Sequence, residues 1–531
     1  MLSLHAFSRN SSRRRIVQER FKDEESIPSG DFKTSESTPL LADPTMTESH
    51  MGISQQTLVS RGGDTSARKL PQYIAGLAAT LGALAAGMVL GWTSPAGENG
   101  VLLAKEYNIN IDKEDFSWIG SIFNLGAATI CVPIGMLTDI IGRKKSMLVL
   151  VVPFTIGWAL IIWSTSVGMF EAGRYILGVS GGAFCVTAPM YTGEIAENSI
   201  RGSLGSYFQL MLVIGILLSY VLGSFVTMFT LSLIAAIIPL VFVVIFFFMP
   251  ETPTYHLKKG NVEAARQSYR WLRGPDYNIE GELENQRAAL AEVERNQTSF
   301  LTAIRSKAAI RGLIIAFGLM FFQQLSGVNA IIFYSGSIFD KAGGGAMSSS
   351  TATIVVGVMQ VVAVFISTLV VDRLGRRLLL LASIISMSIS ALVMGVYYHL
   401  KDSGNPVADD IGWLPLLAVC VFIVMFSLGF GPIPWMMMGE IFAPQVKGIA
   451  GSSACFFNWL MAFIVTRFYT PVQDALGSDW TFWIFAIICA VGVAFVLLIV
   501  PETKGKSLEE IQVELGGRRP TVARSNYSNK V

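Results

Sequence analysis

Apolar stretches of about 20 residues recur along this chain, separated by shorter polar segments. A helix of that length crosses about 30 Å of hydrocarbon, the thickness of a bilayer core. The pattern therefore predicts an all-α membrane protein with twelve transmembrane helices. The predicted spans cover 72–93, 116–137, 146–165, 172–191, 204–224, 229–249, 312–335, 351–371, 378–398, 412–436, 450–470 and 480–500.

One long polar segment, 251–311, divides the spans into two groups of six. The residues after Asn261 have helical periodicity, so they predict an amphipathic helix capped by that asparagine. Residues 282–293 predict a second helix. We interpret the segment as a helical cytosolic linker between an N-terminal six-helix bundle, 71–250, and a C-terminal six-helix bundle, 312–500.

The basic residues predict the orientation of the spans. If both termini are cytosolic, the basic clusters that follow spans two and eight lie inside, as do the many cations of the linker, which fits the positive-inside rule. The opposite orientation would place nearly every cation on the wrong side. The predicted outer loops then carry only Lys105, Lys113, Lys341 and Lys401.

Both ends of the chain are polar and predict cytosolic tails. Residues 1–70 are rich in Ser, Thr and charged residues with little apolar periodicity, which is typical of disorder. Glu36, Leu40 and Leu41 within them match the acidic dileucine pattern that endocytic adaptors bind; the alternative is a chance pair of leucines. We expect the plasma membrane, with an endosomal or lysosomal membrane left open by this motif. Residues 501–531 form a short C-terminal tail.

Composition agrees with a membrane protein and excludes several other classes. Hydrophobic residues make up 52% of the chain and charged residues 15%, against about 25% charged in soluble domains. A net charge of +2 argues against a nucleic-acid partner. The five cysteines fall inside apolar stretches, so a disulfide framework is not expected. We expect no metal, no cofactor and no enzymatic activity, because metal-ligand spacings, phosphate-binding glycine loops and nucleophile triads are missing from the sequence.

Three charged signatures occur twice, in the same order, once in each half: an Asp-x-x-Gly-Arg type motif at Asp139 and at Asp372, a Gly-Glu pair at Glu194 and at Glu440, and a Pro-Glu-Thr (PET) sequence at Glu251 and at Glu502. This duplication is typical of transporters built from two related bundles around a midplane site. We expect a charge network on the cytosolic face, in which opposite charges pair across the two halves and act as an inner gate; the alternative is that the cations only set topology. The predicted network contains Asp139, Arg143, Glu194, Arg201, Glu251, Asp372, Arg376, Arg377, Glu440, Lys447 and Glu502.

The seventh span contains several amide side chains, Gln323, Gln324 and Asn329, close to Gly327. Amides are costly in hydrocarbon, so these side chains should face the bundle interior or a wet cavity. Each carries donors and an acceptor, as a sugar hydroxyl also does. The pattern favours a sugar-sized polar lining, and the alternative is a hydrogen-bonded contact between helices.

These motifs together resemble the sugar porter family of the major facilitator superfamily. The resemblance covers about 72–510, and the chain is similar to animal facilitative glucose transporters and to insect facilitated trehalose transporters. It implies two six-helix bundles that rock around a central sugar site. The matching motifs begin at Asp139, Tyr191, Pro250, Gln323, Gly431 and Pro501.

The resemblance also implies a set of sugar contacts by position. It places Trp435 after the Pro-Ile-Pro sequence, where the alternative is an interfacial aromatic residue. Pro432 and Pro434 are expected to break the tenth span. The implied contacts are Gln209, Gln323, Gln324, Asn329, Gln360, Trp435 and Asn458.

Departures from the family pattern bear on the substrate and on coupling. Ser427 stands where glucose transporters carry a glutamate, Gln360 replaces an asparagine and Phe333 replaces a tyrosine, which leaves room for trehalose as well as for a hexose such as glucose. Proton-coupled relatives carry an acid in span one near the arginine of span four. Arg174 is present here, but span one has no acid. We expect a facilitative uniporter; a proton-coupled symporter and a non-transporting sugar sensor are the alternatives.

Overall fold

Most of the described chain is α-helix, as the recurring apolar stretches predict. Within the described ranges there is no β-strand. The predicted sorting motif, Glu36, Leu40 and Leu41, lies outside them. The computed structural model describes residues 67–197, 199–295, 304–342, 348–506 and 508–516.

The N-terminal half contains predicted spans one to six. Span three is formed by two consecutive helices, α4 and α5, and the short α2 lies in the loop between spans one and two. The bounds are α1 Leu70–Gly91, α2 Val101–Tyr107, α3 Lys113–Ile141, α4 Arg143–Val149, α5 Val151–Ile162, α6 Val167–Ile195, α7 Arg201–Phe225 and α8 Met228–Phe246.

The linker and the C-terminal half follow. The linker helices are α9 Pro253–Lys258, α10 Val262–Arg273 and α11 Ile279–Arg295. Span seven consists of α12 and α13, and span ten of α17 and α18. The remaining bounds are α12 Lys307–Leu325, α13 Val328–Lys341, α14 Ser349–Leu374, α15 Arg376–Asp402, α16 Val407–Asp410, α17 Leu414–Leu428, α18 Ile433–Ile441, α19 Pro444–Leu476, α20 Ser478–Leu498 and α21 Leu508–Gly516.

Eleven helical segments of the described residues are long and apolar enough to cross a membrane. The twelfth predicted span, α6, has 29 residues but a more polar composition, with Glu171, Arg174 and Glu194 in it. Only Gly168 and Ala172 of this helix are exposed, because α1, α3 and α5 pack around it. A helix that neighbouring helices shield from lipid does not need an apolar outer face, so α6 completes the twelve.

Two spans are interrupted where the sequence carries helix breakers. Span seven breaks at Gly327, whose φ of +88° is favourable only for glycine. A Cβ at this position would lie 2.5 Å from the Phe485 ring. Span ten breaks between Leu428 and Ile433, as Pro432 and Pro434 predict. Both breaks lie in the C-terminal half.

The two halves contact each other along two helix pairs. Helix α3 packs against α19, and α7 packs against α14. Within the halves, α1 packs on α7 and α15 on α20. We name the end of the bundle that carries the linker the inner face and the opposite end the outer face, following the predicted orientation.

The linker and the C-terminal segment dock on the inner face. Asn261 caps α10 by accepting a hydrogen bond from the Ala264 N–H at 3.0 Å, as predicted. The buried Arg273 donates to the Ile195 carbonyl at the end of α6. Helix α21, which the sequence did not predict, buries Leu515 and receives a hydrogen bond from Arg311 at its carbonyl, 3.0 Å away.

Candidate functional site

Four carboxamides from spans seven and eleven form one hydrogen-bonded series, which we call the amide relay: Asn329, Gln324, Asn458 and Gln323. Asn329 Nδ2 donates to Gln324 Oε1 at 2.6 Å, and Gln324 Nε2 donates to Asn458 Oδ1 at 3.0 Å. Asn458 Nδ2 then donates to Gln323 Oε1 at 2.6 Å. The structure thus brings together four of the seven predicted contacts.

The relay ends on the broken part of span ten. Gln323 Nε2 donates to the carbonyls of Phe430 and Gly431 at 2.7 and 3.0 Å. In a continuous helix the Phe430 carbonyl would accept from residue 434, but Pro434 has no N–H to donate. Gln323 supplies the missing donor, because lipid offers none. The amide is therefore structural at one end of the relay.

Polar atoms left over from these contacts are available for a ligand. Asn329 is half-buried, and its carbonyl oxygen makes no hydrogen bond with a described residue. Gln209 is also half-buried and Gln360 is buried, and neither amide has a hydrogen bond to the described residues. Two amides and one carbonyl oxygen from spans five, seven and eight are thus unpaired.

Gln209 and the relay lie on the same side of a contact between the two halves, although Gln209 is not bonded to the relay. Tyr220 of α7 donates to the Ile332 carbonyl of α13 at 2.7 Å, which fixes a common level in the two halves. Gln209 precedes Tyr220 by eleven residues of α7, and Gln324 precedes Ile332 by eight residues across the break at Gly327. Both amides therefore lie toward the inner face from this level.

Trp435 and Ser427 lie on either side of the break in span ten. Trp435 is half-buried in α18 and packs against the apolar core. Ser427 is buried with no hydrogen bond to a described residue. Trp459, beside Asn458, was not predicted as a contact, although its buried indole N–H is likewise unpaired. The adjacent Asn-Trp sequence was the available signal.

The fully buried Arg174 donates hydrogen bonds to backbone carbonyls, and it has no ion pair with an acid among the described residues. Its guanidinium donates to the carbonyls of Val89 and Ile119 at 2.7 and 2.9 Å and to Gly120 at 3.3 Å. It also lies over the Trp92 ring, 5.5 Å from the centroid. These carbonyl oxygens accept hydrogen bonds from the guanidinium N–H groups, which would otherwise pair with a carboxylate. Span one has no acid to pair with Arg174, and in the structure backbone carbonyls bind its guanidinium instead.

The three repeated signatures of the N-terminal half converge in one charge cluster. Arg143 donates to Glu194 at 2.8 Å, and Thr252 donates to the other oxygen of Glu194 at 2.5 Å. Glu251 accepts from the backbone N–H of Arg143 at 3.0 Å. Asp139 adds a 3.0 Å contact to Arg143. The cluster fixes the inner ends of spans three, four and six to one another.

The C-terminal half repeats this cluster with equivalent residues. Arg376 pairs with Glu440 at 3.0 Å, and Thr503 donates to the other oxygen of Glu440 at 2.6 Å. Glu502 accepts from the backbone N–H groups of Arg376 and Arg377 at 3.0 and 2.9 Å. Glu251 and Glu502 thus each lie at the N-terminus of a helix, where unsatisfied N–H groups favour an anion.

In this structure these charges pair within each half, and pairing across the halves in a state with a closed inner face stays a prediction. The ion pairs of Arg143 with Glu194 and of Arg376 with Glu440 each join residues of one half. Each arginine begins a helix, and the acid that it pairs with lies at the end of another helix of the same half. The clusters therefore make each half rigid at its inner end.

The remaining predicted members of the network lie at the edge of the clusters. Arg201 is exposed and makes no ion pair with a described residue. Lys447 donates to the Gly439 carbonyl at 3.0 Å, and it has no acid partner among the described side chains. The side chain of Asp372 is outside the described part of the structure.

Contacts between the halves concentrate toward the outer face. Thr93 donates to the Phe333 carbonyl at 3.2 Å, and Asn124 donates to Thr466 at 3.0 Å. At the inner ends of the spans there is open space. A Cβ added at Gly202, Gly205, Gly448 or Gly451 would meet no atom within 4 Å. Hydrogen bonds between the halves therefore close the outer face, whereas these glycines have no neighbouring atoms at the inner ends of spans five and eleven.

Comparisons with known proteins agree with this architecture. A family model described as "Sugar (and other) transporter" matches residues 75–515. The facilitated trehalose transporter Tret1 of Bombyx mori is 40% identical over 450 residues, which cover 84% of this chain and 88% of that protein. Tret1 of Culex quinquefasciatus is 39% identical, with 84% and 86% covered. Tret1 of Aedes aegypti is 39% identical, but the match covers 55% of that longer protein.

Two solved structures show the same fold. The proton:xylose symporter XylE bound to 6-bromo-6-deoxy-D-glucose superposes with a TM-score of 0.69 at 23% identity, covering 84% of this chain and 99% of that one. The inward open conformation of XylE from E. coli gives a TM-score of 0.70 at 22% identity, with 83% and 99% covered. At this identity the likeness concerns the fold alone.

We predict that Gly142→Ala destabilises the N-terminal cluster. Gly142 has a φ of +103°, and a Cβ there would lie 2.3 Å from Glu251 Oε2. The backbone strain alone costs about 1–3 kcal/mol, and displacement of Glu251 adds to it. Gly260→Ala, with a φ of +74° and no atom within 4 Å, should lose only the backbone part.

The measurement is the thermal midpoint of the purified protein in detergent. Gly193→Ala is the neutral control, because an added Cβ meets no atom within 4 Å and the φ is ordinary. Equal midpoints for Gly142→Ala and Gly193→Ala would contradict the assigned role of the cluster.

We also predict that Glu502 contributes pH-dependent stability. Partial burial of this carboxyl raises its pKa, but four backbone N–H groups lower it, and the net pKa lies below the ordinary value of 4.5. Its stabilisation is therefore present above pH 4.5 and lost as the pH falls through the lowered pKa.

Glu502→Gln should accordingly lower the thermal midpoint by about 2 °C at neutral pH. The difference from the native protein should shrink at and below pH 4.5. Glu284→Gln, at an exposed glutamate of α11, serves as the control and should show no such pH dependence. A Glu502→Gln difference that is constant with pH would refute the prediction.

Proposed function

The chain belongs to the sugar transporter family, and on that premise we propose that it is a facilitative carrier that moves trehalose, or a hexose such as glucose, across a membrane by alternating access. The single observation that carries the proposal is the amide relay, together with the unpaired amides of Gln209 in span five and Gln360 in span eight. Carboxamides donate and accept at once, as sugar hydroxyls do. Gln209 from one half and Asn329 and Gln360 from the other would bind the same sugar.

The two charge clusters support rocking of the halves as rigid units. Each cluster ties the inner ends of three spans together within its own half, so a rotation of one half against the other leaves both clusters intact. The glycines with open space at the inner ends of spans five and eleven border the opening on that side. With the predicted orientation, this is the state that releases sugar to the cytosol.

Trehalose is favoured by the relatives and by span ten. Three similar proteins are named facilitated trehalose transporters. Ser427 in place of a glutamate removes a carboxylate and leaves a small hydroxyl, which is compatible with a larger disaccharide. The plasma membrane is the proposed location, and binding of an endocytic adaptor to Glu36, Leu40 and Leu41 is a further part of the proposal.

Counterflow in proteoliposomes tests the proposal. Vesicles that contain the purified chain and are loaded with unlabelled trehalose should transiently accumulate labelled trehalose, since a carrier exchanges sugar in both directions. Excess glucose as competitor then separates a trehalose preference from a hexose preference. A sugar sensor would show no counterflow with any of these sugars, and that result would overturn the proposal.

Gln209→Leu should raise the half-saturation concentration for trehalose about tenfold, because one or two hydrogen bonds to the sugar are lost. The folded protein loses no internal hydrogen bond by this change, so its thermal midpoint should stay the same. Gln72→Leu is the matched control: this buried amide bonds the Arg68 carbonyl and the Glu197 N–H, far from the relay. It should affect stability and leave the half-saturation concentration unchanged.

We predict that transport is independent of a proton gradient. Arg174 is satisfied by carbonyls and α1 has no acid, so a proton relay lacks its titratable groups. Trehalose uptake into vesicles should therefore stop at equal concentrations, with or without an inward proton gradient. Accumulation above equilibrium that a protonophore abolishes would establish symport instead.

A further inference from the structure

One helical turn of α19 joins the two halves at the outer face. The Arg467 guanidinium donates to Glu114 of α3 at 2.8 Å, and the Arg467 carbonyl accepts from Ser117 at 2.8 Å. The preceding residue, Thr466, accepts from Asn124 of α3 at 3.0 Å. Glu114, Ser117 and Asn124 follow one face of α3, because they are spaced by three and seven residues.

The Arg467 side chain is held from a second direction as well. Its guanidinium lies over the Trp118 ring, 4.7 Å from the centroid. The side chain is only 13% exposed, whereas Glu114 is 71% exposed. A cation that is largely withdrawn from water interacts with an aromatic face and a carboxylate more strongly than an exposed one does.

These contacts lie where a rocking motion must separate the halves. Helix α3 belongs to the N-terminal half and α19 to the C-terminal half. A rotation about an axis at midplane depth that opens the outer face moves their outer ends apart, and it breaks the contacts of Arg467 with Glu114 and Ser117. The charge clusters at the inner face do not oppose this motion, because each lies within one half.

We propose that Arg467 and Glu114 form an outer latch that sets the orientation of the empty carrier and, through it, the affinity of the carrier on each side of the membrane. The part of this proposal that concerns sugar affinity rests on the proposed function, whereas the part that concerns the orientation of the empty carrier does not. An apparent dissociation constant equals the intrinsic one divided by the fraction of carriers that are competent to bind. Weakening the latch raises the outward-open fraction and lowers the inward-open one.

Arg467→Gln and Glu114→Gln should therefore change the two faces in opposite directions. The half-saturation concentration for sugar entry should fall about two- to fivefold, the range expected for one ion pair. The half-saturation concentration for sugar exit should rise, because the inward-open fraction drops. A merely structural role would move both values the same way or neither.

Accessibility of a cysteine tests the latch without any sugar. Thr93 is 1% exposed and bonds the Phe333 carbonyl across the closed outer passage. In Thr93→Cys, a membrane-impermeant maleimide added from outside should react about two- to fivefold faster when Arg467→Gln or Glu114→Gln is present. The parent chain with its native cysteines gives the background rate.

Lys105→Gln is the matched control, because it removes one positive charge from the outer face at an exposed side chain away from α19. It should leave the labelling rate unchanged. Exchanging the charges, with Glu114→Arg and Arg467→Glu together, should restore slow labelling. Glu114→Gln keeps the test valid if Arg467→Gln does not fold, since its side chain is mostly exposed.

Unchanged labelling in both single variants would overturn the latch. Faster labelling in a chain that moves no trehalose would leave the latch standing and refute only the proposed substrate. The two proposals can therefore fail independently.

Discussion

Lipid provides no hydrogen bonds, so every polar group within the spans of this protein must find a partner inside the bundle or in a wet cavity. The helix breaks in spans seven and ten leave backbone groups that need such partners. Gln323 is one partner: it donates a hydrogen bond to the Phe430 carbonyl, which Pro434 leaves without its helical donor. The amide relay that begins there continues through Asn458 to Asn329, whose half-buried side chain is the open end of the series. The same series thus contains an amide that stabilises a helix break, Gln323, and an amide that is available to a ligand, Asn329.

The duplicated charge signatures answer a different physical requirement. Glu251 and Glu502 each accept hydrogen bonds from several backbone N–H groups at the start of a helix. The glycine that precedes that helix, Gly142 or Gly375, has a positive φ. Neither Gly142 nor Gly375 has room for a Cβ, because the carboxylate lies within 2.9 Å of that position. The repeated motifs therefore preserve a cluster geometry within each half, and the freedom of motion is left to the surfaces between halves.

Those surfaces are asymmetric in this structure. The outer side is closed by hydrogen bonds and by the Arg467–Glu114 pair, whereas glycines of α7 and α19 border open space toward the inner face. Closure therefore depends on many small contacts, each worth about 1 kcal/mol or less. Interactions of that size suit a carrier, because they shift an equilibrium between two states without trapping either one.

The sequence by itself determined the twelve spans, the linker helix capped by Asn261, the helix breaks and the duplication, because each follows from local periodicity, local propensity or a repeated motif. It also gave the amides of the relay. Only the tertiary structure decided which groups meet: that Arg143 and Arg376 pair within their own halves, that backbone carbonyls accept the hydrogen bonds of Arg174, and that Arg467 joins α19 to α3. Groups that are 51 to 353 residues apart in the sequence leave no periodic signal of their contact, so pairing depends on how the helices pack.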